Sequence, residues 1–298
     1  MPSLLDMRRR IKSVKNTQQI TKAMKMVAAA KLKRAQDRVT ASRPFAQKMS
    51  EVLGGLSARI GDDFSHPLLN ERGDEKYLIV VVTADKGLAG AFNANVIKAA
   101  QAFINESAAG KSVQMVPVGR KGRDFFKRRQ VDFVEEYVGL TGQGRIEHSQ
   151  AVEIAQNVIR AFTEDESIDK VFLVYSEFKS VLSQKPVVRQ LLPIPKVADD
   201  AAAADATAGN RGARAEYIYE QPPAEIFGRL LPKQVETQIY SAILESIASE
   251  QGARMTAMDS ASKNAGELIG TLTLNMNRIR QAAITKEIIE VVSGAAAL

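Results

Sequence analysis

The sequence predicts an α/β domain flanked by two long terminal helices that pair as an antiparallel coiled coil. Three observations carry this. Apolar and small residues recur at helical spacing over both ends of the chain. Strand-like apolar runs alternate with helical stretches in the middle. A low-complexity segment separates that middle from the C-terminal pattern. The predicted organisation is an N-terminal helix over 1–60, a Rossmann-like α/β domain over 70–220 and a C-terminal helix over 224–298.

In the N-terminal segment Met7, Ile11, Val14, Gln18, Thr21, Met24 and Ala28 fall on one helical face. Ser3 followed by Asp6 is a cap pattern. Pro44 is expected to kink or strain this helix, and Gly54, Gly55 and Gly61 to close it. About 55 helical residues span about 80 Å, beyond the width of a small domain, so much of the helix should project.

The middle opens with Tyr77–Thr83, a β-branched run suited to a strand buried on both faces. A helix near Asn93–Glu106, a strand at Val113–Val118, a short helix at Asp124–Arg129 and a weaker strand at Val131–Tyr137 follow. A helix over Glu147–Thr163 leads to a strong strand at Val171–Phe178. Alternation of this kind predicts a mostly parallel sheet covered by helices. Ala201–Ala215 has nothing to bury and reads as a surface loop.

From Pro232 to Ser293 the helical pattern resumes. Met255, Met258, Ala261, Ala265, Leu268, Leu272, Met276, Ile279 and Ala283 form the expected seam. It is rich in Ala and Met, which permit close and adaptable packing. Gly266 and Gly270 weaken it slightly.

Composition narrows function. The 298 residues include no Cys and no Trp, with only His66 and His148. That excludes disulfides, thiolate metal sites and a Cys nucleophile, and argues against His chemistry and base stacking. No apolar run approaches a membrane span, and the N-terminus lacks a secretory apolar core. Residues 1–40 hold eleven Lys and Arg but only Asp6 and Asp37, a local charge of +9. The whole chain is +7, so the remainder carries −2. Such a stripe implies an anionic partner: nucleic acid, lipid headgroups or acidic protein.

Catalytic signatures are missing. Gly110-Lys111-Ser112 resembles the end of a phosphate loop, but Asn105 stands where the preceding glycine belongs and the tripeptide precedes a strand. Thr83–Asn93 lies between a strand and a helix, the right place for an anion, yet lacks G-x-G-x-x-G and reads as a tight turn. His66 and His148 read as solvated or locally bonded. No catalytic, cofactor or metal residue is assigned.

Particular stretches then become recognisable: IKSVKNTQQITKAMKMVAAAKLKRAQD at Ile11–Asp37, TADKGLAGAFN at Thr83–Asn93, SEQGARMTAM at Ser249–Met258 and NRIRQAAITKEIIEVVSG at Asn277–Gly294. Together they closely resemble the gamma-chain family of F-type ATP synthases, over nearly the whole chain. The resemblance implies a non-catalytic central rotor shaft. It implies a coiled coil inside a ring of three alpha and three beta subunits, with an α/β foot meeting the epsilon chain and the membrane c-ring. Nucleotide sites then belong to alpha and beta. By motif match, Lys22, Met24 and Lys25 face the acidic segment of beta, and Arg280, Gln281 and Thr285 meet a beta loop higher up. Ile288–Leu298 matches the apolar tip in the top bearing, and Tyr217, Tyr219 and Glu220 sit where the foot approaches epsilon and the c-ring. The family has no cofactor of its own in this chain. A bacterial protein at the cytoplasmic face of the inner membrane is expected, since the start lacks a presequence. The alternative is a basic coiled-coil protein that binds nucleic acid.

Overall fold

A computed structural model describes residues 3–57, 59–60, 64–142, 146–195 and 221–296. The elements are α1 (Leu4–Ser57), β1 (Lys76–Val82), α2 (Phe92–Glu106), β2 (Ser112–Val118), α3 (Arg120–Lys127), β3 (Asp132–Phe133), α4 (His148–Glu164), β4 (Lys170–Phe178), β5 (Gln184–Leu192) and α5 (Pro223–Ala296). The segment 201–215 lies outside the described residues.

Two compact units share the long helices. One comprises 1–30 with 254–298, the other 31–253. In the larger unit the five strands run in the order β3-β2-β1-β4-β5. β1 pairs in parallel with both β2 and β4, and β2 with β3. β5 returns antiparallel to β4, so the sheet is mixed. Sequence periodicity missed β5 because Pro186 interrupts it and its burial does not alternate cleanly. At an edge strand a proline is tolerated, since one side needs no donor. Val131–Tyr137 shrinks to the two-residue β3, with Tyr137 adding one isolated bridge to Val118.

The core on one face of the sheet joins Ile79, Val81, Met115 and Val174 to Phe92, Val96, Ile97 and Ala100 of α2 and Phe126 of α3. β1 is buried along all but its first residue, which accounts for its unbroken apolar run. The chain leaves β1 toward β2 on one side and finds β4 on the other. Thr83–Asn93 therefore emerges at a switch point of the sheet, where α/β folds commonly place ligands.

α1 runs through Pro44 without interruption, and Gly54 and Gly55 lie inside its last turn. α5 likewise includes Pro232 and begins nine residues before it. In the smaller unit every predicted seam residue from Met7 to Ala28 is buried or half-buried, while the cations between them face outward, Lys25 excepted. On α5 the seam holds with one correction. Leu268 is 47% exposed, and Ile269 takes the inward place. A step of four from Ala265 keeps the stripe from drifting around a 3.6-residue helix better than a step of three here. Gln18 Nε2 donates to the Ser262 carbonyl at 3.2 Å, and Lys25 Nζ reaches Asp259 at 2.6 Å. Rising numbers on α1 thus meet falling numbers on α5. No helix among the described residues is long and apolar enough to cross a membrane.

Candidate partner interface

Within the 1–30 and 254–298 unit, exposed cations and apolar groups alternate along α1, and α5 ends in an exposed, largely apolar stretch. Arg8, Arg9, Arg10, Lys12, Lys15 and Lys22 are exposed, interleaved with exposed Leu5, Ile20, Met26 and Val27. Helix geometry explains the pattern: the inward stripe takes the seam, and the rest of α1 is left to charge and scattered apolar groups. Such a surface can form many shallow contacts with an acidic, partly apolar neighbour.

The predicted contact residues divide. Lys22 is exposed and Met24 half-buried. Lys25 is turned toward Asp259 of its own chain, which also holds Lys263 at 3.2 Å. These ammonium groups, Lys25 first, hold the Asp259 carboxyl below its ordinary value. Arg280, Gln281 and Thr285 are exposed, and the Thr285 hydroxyl donates to the Gln281 carbonyl at 3.0 Å, within the helix. From Ile284 to Ala295 every residue is exposed, including Ile288, Ile289, Val291 and Val292. Apolar side chains so placed mark a surface meant to be covered. Tyr217, Tyr219 and Glu220 lie outside the described residues.

At the switch point the loop's own carboxylate, Asp85, is engaged within the chain, at the N-terminus of α3 and not of α2. The Asp85 carboxylate accepts backbone N–H bonds from Arg120, at the start of α3, and from Gly139, Thr141 and Gly142, at 2.8–3.0 Å. The Thr141 hydroxyl adds a fifth at 2.8 Å. Burial works to raise the Asp85 carboxyl, but these donors together outweigh it and hold it below its ordinary value. A carboxylate of the chain thus sits against the N-terminus of α3. Glycine spacing could not reveal this, because three of the donors lie 54–57 residues away. The loop is locked further: Asn93 Oδ1 accepts from Ala84 N–H at 2.9 Å, and Thr83 Oγ1 from Gly122 N–H at 2.8 Å. Leu88 at its tip has φ +63° and is exposed.

Gly110-Lys111-Ser112 is the turn into β2. Gly110 has φ +79°, Ser112 N–H donates to the Glu75 carbonyl, and Lys111 Nζ donates to Asp74. His66 stacks on Phe64, and its Nδ1 accepts the Leu68 N–H at 3.2 Å. His148 packs edge-on against Tyr240. Among the described residues no group of three or more His, Asp or Glu could hold a metal ion.

Comparison with known proteins agrees with this geometry. The ATP synthase family matches residues 3–298. The ATP synthase gamma chain of Solibacter usitatus is 53% identical over all of this chain and 99% of its own length. That of Heliobacterium modesticaldum is 52% identical over the full length of both. The central stalk and c-ring structure of Tetrahymena thermophila mitochondrial ATP synthase includes a chain 27% identical, with TM-score 0.58, covering 82% of this chain and 99% of that one. A chain of the Euglena gracilis mitochondrial enzyme shares the fold at TM-score 0.68 and 18% identity, over 99% of this chain and 94% of its own. This chain belongs to the ATP synthase gamma-chain family.

Proposed function

We propose that this chain is the central rotor shaft of a proton-translocating F-type ATP synthase, coupling rotation of a membrane c-ring to ATP synthesis at beta subunits. The observation that carries the reading is full-length identity above 50% to gamma chains, across both terminal helices and the middle. The helical segments 1–60 and 224–298 act as an antiparallel coiled coil, and 70–220 as the foot. The opposed numbering of the Gln18 and Lys25 contacts supports that pairing.

The chain supplies no catalytic group and binds no nucleotide itself. Gly110-Lys111-Ser112, the tripeptide nearest to a phosphate loop, is a turn into β2 with Lys111 held by Asp74, which supports this. Its partners are the alpha3beta3 hexamer, epsilon and the c-ring. It sits peripherally at the cytoplasmic face of the bacterial inner membrane. Lys22 and Met24 meet the acidic beta segment, and Arg280, Gln281 and Thr285 a beta loop above it. The apolar end Ile288–Leu298 turns in the top bearing, and Tyr217, Tyr219 and Glu220 approach epsilon and the c-ring. Lys25 acts in part inside the shaft, through Asp259.

A shaft must grip without interlocking, because the same face meets three beta subunits in turn. Exposed cations and single apolar side chains suit contacts that form and break. Shaft angle then biases each beta site, and nucleotide occupancy biases the angle in return. The nucleic-acid alternative finds no support among the relatives. Affinity purification of the tagged chain from native membranes tests the reading. Alpha, beta and epsilon chains should co-purify; salt-dependent retention of DNA without them would overturn it.

A further inference from the structure

Within the 31–253 unit, a cavity of about 150 Å³ lies between α1, α5 and the β4–β5 pair. One wall is a single face of α5. Gln234, Gln238, Ser241 and Glu245 follow at steps of four, three and four, which stacks them along one helical stripe. This stripe belongs to none of the contacts discussed above.

Each of these four residues presents a shielded oxygen with no hydrogen-bond partner: Gln234 Oε1, Gln238 Oε1, Ser241 Oγ and Glu245 Oε2. Gln234 is only 7% exposed, and its Nε2 is turned to Ser50 Oγ at 3.5 Å, leaving the carbonyl oxygen bare. Glu245 accepts the Phe178 N–H and still has one oxygen unmet. Buried polar atoms without partners are few in native proteins. Four on one stripe, facing one cavity, call for an occupant that satisfies oxygen acceptors.

The walls define its chemistry. Two amide carbonyls, a hydroxyl and a carboxylate are hard oxygen donors, with neither sulfur nor imidazole among them. Glu177 adds a second carboxylate from β4, and Arg189 a guanidinium from β5. Arg43 also acts on Glu245, and Lys179 lies 3.8 Å from Glu177, so the charges around the cavity are close to balanced and disfavour a divalent ion; the orphan oxygens, not net charge, select the occupant. The volume exceeds that of one bare ion and leaves room for waters to complete its shell. Burial lifts the Glu245 carboxyl above its ordinary value; Glu177 adds to the rise, while the Phe178 N–H, Arg43 and Arg189 oppose it. A bound cation would favour the ionised form.

We propose that this cavity is a binding site for one hydrated alkali cation, held by Gln234, Gln238, Ser241 and Glu245. It ties α5 to the sheet beneath it, where Ser249 Oγ already donates to the Ser176 carbonyl at 3.1 Å.

Thermal melting of the full chain in sodium, potassium and choline chloride at equal ionic strength tests this. Sodium or potassium should raise Tm saturably over choline, by about 3 °C once the cation exceeds its Kd tenfold. Ser241→Ala and Gln238→Met should each fold and lose most of that increment. Glu245→Gln should abolish it; if that variant does not fold, the other two decide. Equal Tm in all three salts would mean a cavity holding water alone, and an increment unchanged in Ser241→Ala and Gln238→Met would place the cation elsewhere. Either result overturns the proposal, and neither bears on subunit co-purification.

Discussion

Lys25 Nζ lies 2.6 Å from Asp259 Oδ1, although 234 residues separate them in sequence. Both side chains are partly exposed, at 42% and 33%. The pair joins α1 to α5, so Asp259→Asn should lower Tm of the full chain. Lys25→Met added to that variant should cost less than Lys25→Met alone, because the shared contact is already gone. The pair's effect should shrink in 1 M salt. The Asp259 carboxyl is held low, so its contribution is present at neutral pH and lost as pH falls below its ordinary value of 3.8. Fully additive losses in the double variant would show that the contact contributes nothing.

Lys22 is exposed, and among the described residues it has no ion-pair partner. Lys15 is exposed in the same way. Changing both to Glu should leave stability of the chain nearly unchanged and retain ATPase in the reconstituted complex. ATP-driven proton uptake per ATP should fall, and the loss should shrink at high salt, since exposed charges are screened over about 10 Å at 0.1 M. Measuring both activities in vesicles at two ionic strengths checks this. Unchanged pumping per ATP would mean that these cations are only solvated.

Asp85 accepts five hydrogen bonds that fasten α3 and the segment 139–142 to the end of β1. Asp85→Asn replaces an acceptor with a donor facing donors. It should destabilise the full chain by on the order of 2 kcal/mol in urea titrations at pH 7. The carboxyl is held low in the folded chain, so this stability is complete above 3.8 and is lost as pH falls through and below it. The gap between wild type and variant should therefore narrow toward pH 3. A gap independent of pH would contradict the assignment.

Gly119 has φ +100°, and a Cβ there would lie 2.1 Å from the Thr83 carbonyl oxygen. Gly119→Ala should cost more than about 3 kcal/mol or prevent folding. Gly110 also has positive φ, but its Cβ would meet nothing within 4 Å. Gly110→Ala should cost only about 1–2 kcal/mol, the backbone penalty alone. Similar Tm losses for both would show that the Thr83 contact relaxes.

Helical spacing made the inward stripe of α1 legible because each residue's facing depends only on its position in the turn. Leu268 shows the limit of that reasoning: hydrophobicity favoured it, but the next residue, Ile269, fits the stripe. β1 was readable as a run buried on both faces and β4 as a strong apolar strand, whereas β5 was hidden by Pro186 and an edge position. Gly54, Gly55 and Pro232 looked like helix boundaries because their local preferences oppose helix, and the long helices carry them regardless. The candidate surface was readable as charge, while its apolar tip came only through the family resemblance. The Asp85 bonds and the Lys25–Asp259 pair were not, because they join distant segments that no local pattern connects.

As a rotor shaft, this chain should turn inside the hexamer. It contains no Cys, so Ser107→Cys, at the exposed end of α2, offers a single labelling point in the foot. A bead attached there should rotate in one direction and in three steps per turn when ATP is added to the surface-bound complex with alpha and beta chains. Continued ATP hydrolysis with a stationary bead would contradict the account.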